Sequence, residues 1–77
     1  MMAAAALPGS WPQPDGTPLS CREKLKVLAE NHEELAQTMQ DAFEDAVLMG
    51  VDEAAMRAIL ENMVRGLVSP KPTRPGA

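Results

Sequence analysis

All seven prolines of this 77-residue chain lie between Pro8 and Pro18 or between Pro70 and Pro75, and the stretch from Leu19 to Ser69 has none. Proline fixes φ and removes a backbone donor, so it breaks helix interiors and sheet ladders alike. Regular structure is therefore confined to the middle, flanked by two ends that punctuate rather than fold. Residues 1–17, with Pro8, Gly9, Pro12, Pro14 and Gly16, read as a disordered Pro/Ala/Gly-rich segment. The Ala3–Ala6 run is too short to persist as a helix. Trp11 is either unstructured between its prolines or docked, on the chain's own groove or on a partner. Residues 69–77, SPKPTRPGA, read as a disordered tail made basic by Lys71 and Arg74, whose Pro72–Pro75 spacing matches PxxP only at the level of chance.

Residues 18–68 read as two helices. The first has two start signals three residues apart. Thr17-Pro18 offers an N-cap before a proline at the first helical position, and Ser20-Cys21-Arg22-Glu23 is a capping box. The sequence does not choose between them. Gly50, free to take the left-handed conformation, ends this helix, which runs from about Ser20 to Met49 and is roughly 45 Å long. Asp52 is an N-cap for the second helix, Glu53 places an acid in its first turn, and Val51 and Met56 can staple its entry. The second helix runs to about Val68, roughly 24 Å, with Gly66 expected to begin its fraying. Glu53–Arg57 and Glu61–Arg65 are expected to pair on the water-facing side.

Leu25, Leu28, His32, Leu35, Met39, Ala42, Ala46 and Met49 alternate spacings of three and four, a heptad seam, and Phe43, Val47 and Leu48 widen the stripe towards the C-terminal half. Met56, Ile59, Leu60, Met63, Val64 and Leu67 make one face of the second helix. A link of about three residues, Gly50 to Asp52, makes the helices antiparallel neighbours. The expected fold is thus all-α, an antiparallel two-helix hairpin with a long first helix. The short second helix leaves the N-terminal half of the first, with Leu25, Val27 and Leu28, uncovered. A second copy is the simplest closure, giving a homodimeric four-helix arrangement, with another protein as the alternative. The interface residues expected on this basis are Leu25, Leu28, His32, Leu35, Met39, Phe43 and Val47.

Chemistry is sparse. His32 is the single histidine and Cys21 the single cysteine, so neither a zinc set nor an internal disulfide is available. His32-Glu33-Glu34-Leu35-Ala36 lacks the second histidine of H-E-x-x-H, and no glutamate stands three residues before His32, so a di-iron pattern fails as well. His32 reads as a polar interruption of the seam that sets register. Cys21 sits in the first helical turn beside Arg22 and Lys24, where thiolate is favoured, yet a lone surface cysteine accounts for it. Asp41, Glu44 and Asp45, with Asp52 and Glu53, lack EF-hand spacing and read as a solvated acidic face that a basic partner could dock on. Core-face methionines suit plain filling or adaptable binding. No nucleophile–base pair or pocket-sized volume points to an enzyme, and no catalytic, cofactor or metal residues are expected.

The net charge of −4 argues against nucleic acid as a partner. No apolar run is long enough to span a membrane, and the first residues lack the basic flank of a signal peptide, so the expected location is cytoplasmic. The expected function is that of a small non-enzymatic protein–protein interaction protein, an adaptor, regulator or accessory subunit, acting as a helical dimer. The alternative is a nucleic-acid-associated regulator using Arg22, Lys24 and Lys26. The sequence resembles no particular family.

Overall fold

The computed structural model describes residues 6–71. Within them the chain is all-helical: α1 spans Arg22–Leu48 and α2 spans Glu53–Arg65, with no strand among the described residues. Most of the Ala3–Ala6 run and the tail after Lys71, with Pro72, Arg74 and Pro75, lie outside the described residues.

α1 starts at neither expected signal. Its N-cap is Cys21, extended at φ −68° and ψ 118°, without a side-chain cap hydrogen bond. The Leu25 N–H closes the first turn on the Cys21 carbonyl at 2.9 Å. The Thr17 hydroxyl cannot serve as a cap because it is engaged in a turn upstream, donating to Asp15 Oδ1 at 2.7 Å. The other end matches expectation in detail. Met49 is the C-cap, and Gly50 follows with φ +110°. The Gly50 N–H donates to the Val47 carbonyl at 3.0 Å and the Val51 N–H to the Ala46 carbonyl at 2.9 Å. This double bond pattern is the Schellman motif, which satisfies carbonyls that the helix leaves without partners.

α2 opens on Asp52, whose Oδ2 accepts from the Ala55 N–H at 2.9 Å, as its residue type predicts. It stops at Arg65 rather than near Val68. The Gly66 N–H bonds the Asn62 and Met63 carbonyls and the Leu67 N–H bonds Val64 at 3.2 Å, a tightened last turn after which Leu67 and Val68 are exposed. Leu67 therefore drops out of the expected apolar face.

Residues 11–19, expected to be without structure up to 17, form a tight loop instead. The Leu19 N–H donates to the Trp11 carbonyl, the Gln13 N–H to the Thr17 carbonyl and the Gly16 N–H to the Gln13 carbonyl, each at 2.8 Å. An isolated antiparallel bridge joins Pro12 and Pro18. Asp15 accepts from both the Thr17 N–H and hydroxyl, and Gln13 Nε2 donates to Thr17 Oγ1 at 3.1 Å. Gly16 carries φ +92°, the positive value such a connection requires at its last position.

No described residue is buried, so the described residues hold no fully buried hydrophobic core. What α1 offers inwards is a half-buried stripe: Leu25, Leu28, His32, Ala36, Phe43 and Val47. Two pieces of chain lean on it, the 11–19 loop at its start and α2 at its end. Its mean repeat is slightly over 3.6 residues, so it drifts around the helix relative to a strict heptad seam, and Leu35 and Met49 fall outside it.

Candidate functional site

At the start of α1, Trp11 is half-buried with its ring edge-on to His32, centroids 6.2 Å apart and planes at 78°. This is a favoured aromatic geometry. The polar interruption in the seam thus has an intrachain use: the imidazole is the platform on which the N-terminal loop rests. Leu25 and Leu28 are half-buried, not bare as their lack of a helical neighbour suggested. Val27 stays more than half exposed, and with Leu19, Glu23, Lys24 and Leu28 it lines an open hollow of about 440 Å³.

At the far end of α1, Arg57 of α2 lies over Phe43, its guanidinium carbon 4.7 Å from the ring centroid. A cation–π contact at such a wet site is worth about 0.5–1 kcal/mol. Arg57 is therefore taken from the water-facing pair expected with Glu53, and Arg65 donates to Asn62 Oδ1 at 3.3 Å. Met56 and Leu60 are half-buried beside α1. Ile59, Met63 and Val64 remain exposed, because α1 covers only part of the apolar width of α2.

The expected interface residues consequently divide. Leu25, Leu28, His32, Phe43 and Val47 lie on the half-buried stripe, whereas Leu35 is 61% exposed and Met39 is 37% exposed. Met39 borders a hollow of about 210 Å³ with Leu60, Val64, Arg57 and Glu61, so α2 extends the exposed apolar area around it. Among the described residues, Leu35 thus stands exposed on the flank of α1 one step around the helix from the stripe the chain covers itself.

The acidic face is exposed throughout. Asp41 Oδ1 accepts from Gln37 Nε2 at 2.9 Å and Glu44 Oε2 from Gln40 Nε2 at 2.8 Å, while Asp45 is exposed one residue on. The glutamines one turn earlier hold two carboxylates along the helix surface and leave most of their acceptor positions to water or to a basic partner. Cys21 is an exposed free thiol. The backbone amide of Lys24 lowers its pKa below the ordinary value of 9.0, aided by the Glu23 amide and the Lys24 charge and opposed by slight desolvation. Among the described residues, no three His, Cys, Asp or Glu side chains converge as a metal set would, and no helix is long and apolar enough to cross a membrane.

One element escaped sequence reasoning although its signal is present. Pro14-Asp15-Gly16 is a turn tripeptide with a mechanism, proline presetting φ, aspartate bonding its own backbone two residues on and glycine supplying positive φ. Proline density had masked it. No protein-family model, curated protein or solved structure matches this chain.

Proposed function

We propose that this chain is a non-enzymatic protein–protein interaction protein, an adaptor, regulator or accessory subunit, that works as a homodimer of antiparallel helix pairs. The observation that carries the reading is the lack of any buried side chain among the described residues beside so many exposed large apolar ones, among them Leu35, Ile59, Met63 and Val64. Apolar burial is the main favourable term in folding, and a chain this small that buries nothing fully needs a partner for its core. The fold dimensions agree: Cα extents of 43 × 35 × 17 Å make a slab less than two helix diameters thick. Stacking two such slabs face to face supplies the missing layer. The packing of Arg57 and Leu60 near Met39 and Phe43 supports an antiparallel course for the two helices. The exposed carboxylates of Asp41, Glu44 and Asp45 supply a surface for a basic segment of the client protein.

Light scattering on the purified chain at micromolar concentration tests this. The expected mass is twice 8.3 kDa. A monomeric mass with full helicity by circular dichroism would overturn the reading.

A further inference from the structure

The exposed flank of α1 has a two-fold pattern written into it, centred on Leu35. Leu28, Leu35, Ala42 and Met49 follow one another at seven-residue intervals, and so do Lys24, Asn31, Thr38 and Asp45. At that interval residues stay on nearly one line of an α-helix, so an apolar row runs beside a polar row. Leu35, Ala42 and Met49 are exposed, Leu28 is half-buried, and all four of the polar row are exposed. Reversing the helix about Leu35 sets Leu28 against Ala42 of the other copy, a large side chain against a small one. The polar row reverses about the midpoint of Glu34 and Leu35, half a residue away, which brings Asn31 within one residue of the level of Thr38 and Lys24 within one residue of the level of Asp45.

We propose that a second copy docks antiparallel along this flank, with the two-fold axis at Leu35, so that the interface centres on the Leu35–Ala42 side of α1, bordered by Leu28 and Met39, and not on the Leu25–His32–Phe43 stripe. This rests on the dimer reading and specifies its site. Three features of the chain select a second copy as the occupant. The first is the charge layout. Residues 20–28 carry Arg22, Lys24 and Lys26 against Glu23, a net of +2, while residues 29–53 carry Glu30, Glu33, Glu34, Asp41, Glu44, Asp45, Asp52 and Glu53 and neither lysine nor arginine, a net of −8. A parallel pair opposes like charges along its length, whereas an antiparallel pair lays each basic start on an acidic stretch. The second is the self-reciprocal contact set, the property an isologous interface requires. The third is occupancy: the stripe with Leu25, His32 and Phe43 already carries the Trp11 loop and α2, so among the described residues the Leu35 flank is the side left exposed.

The test uses the full chain in a Cys21→Ser background. Leu35→Cys should form an intermolecular disulfide in nearly all of the dimer under mild oxidation, because the two thiols meet on the axis. In the otherwise native chain Cys21 should not crosslink within a dimer, since the two copies lie about 40 Å apart and a disulfide needs Cα atoms within about 7 Å. Lys24→Glu should weaken dimerisation about tenfold through two symmetric repulsions, and Lys24→Glu combined with Asp45→Lys should restore it. A native dimer in which Leu35→Cys fails to crosslink, or in which the charge swap brings no recovery, overturns this site and leaves the dimer reading standing. Efficient Cys21–Cys21 crosslinking within the dimer shows a parallel pair and overturns it as well. A monomeric native chain removes both.

Discussion

Trp11 does the most at the level of single residues. It is one of only two aromatics, and the chain spends it on an edge contact with His32. Half-burial of so large a ring removes enough apolar area to contribute about 1–2 kcal/mol. Trp11→Ala should therefore lower the thermal midpoint by several degrees, followed by circular dichroism at fixed protein concentration. An unchanged melt would show that the loop rests on α1 without stabilising it. Acid should act on the same loop. The Thr17 hydroxyl, and then the Thr17 amide, hold the Asp15 carboxyl below its ordinary value of 3.8. A carboxylate whose pKa is depressed in the folded state stabilises it above the unfolded pKa, and that contribution disappears as pH falls through the folded value. Trp11 fluorescence should accordingly shift in the native chain only as pH falls below the ordinary carboxylate value, and Asp15→Asn should place the loop in its acid form already at neutral pH. Identical titrations of the two proteins would rule the Asp15–Thr17 bonds out as the loop's acid-sensitive part.

Among the elements, the link between α1 and α2 is the most tightly specified. Three residues, Gly50 to Asp52, end one helix by a Schellman motif and start the next on a capped amide. Gly50 faces open space, and a Cβ there would meet nothing within 4 Å. The requirement for glycine is thus conformational alone: at φ +110° an L side chain collides with its own backbone. Gly50→Ala should cost about 1–2 kcal/mol, seen as a lower melting temperature with helix content unchanged. An equal or higher melting temperature would mean that the link relaxes to negative φ without penalty. α2 itself is short, and its hold on α1 depends on Met56, Arg57 and Leu60 more than on its own propensity.

At the scale of the molecule, the described residues form a pair of helices with an N-terminal loop, and the loop and α2 both lean on one stripe of α1. Every large apolar side chain among them keeps contact with water, so the individual contacts above are each small, and their sum has no core to anchor it. Two copies joined along the Leu35 flank would turn exposed Leu35 and Ala42 into interior residues. Folding and association would then share most of their free energy.

Much of this molecule follows from local order in the chain. The proline-free span, the glycine that ends α1, the aspartate that caps α2 and the two apolar faces are short-range features, and the helices they specify form within a few residues of where they point. Tertiary structure decided the rest because it turned on competition between distant segments for one surface. Cys21 became the N-cap because Thr17 was drawn into the loop by Asp15. His32 gained a partner twenty-one residues upstream, which no periodicity can register. Arg57 left its place beside Glu53 because Phe43 offered it a ring face. A heptad pattern marks every apolar position on α1 equally, and only the packing of the loop and α2 separates those the chain covers, such as Leu25 and Phe43, from those it leaves exposed, such as Leu35.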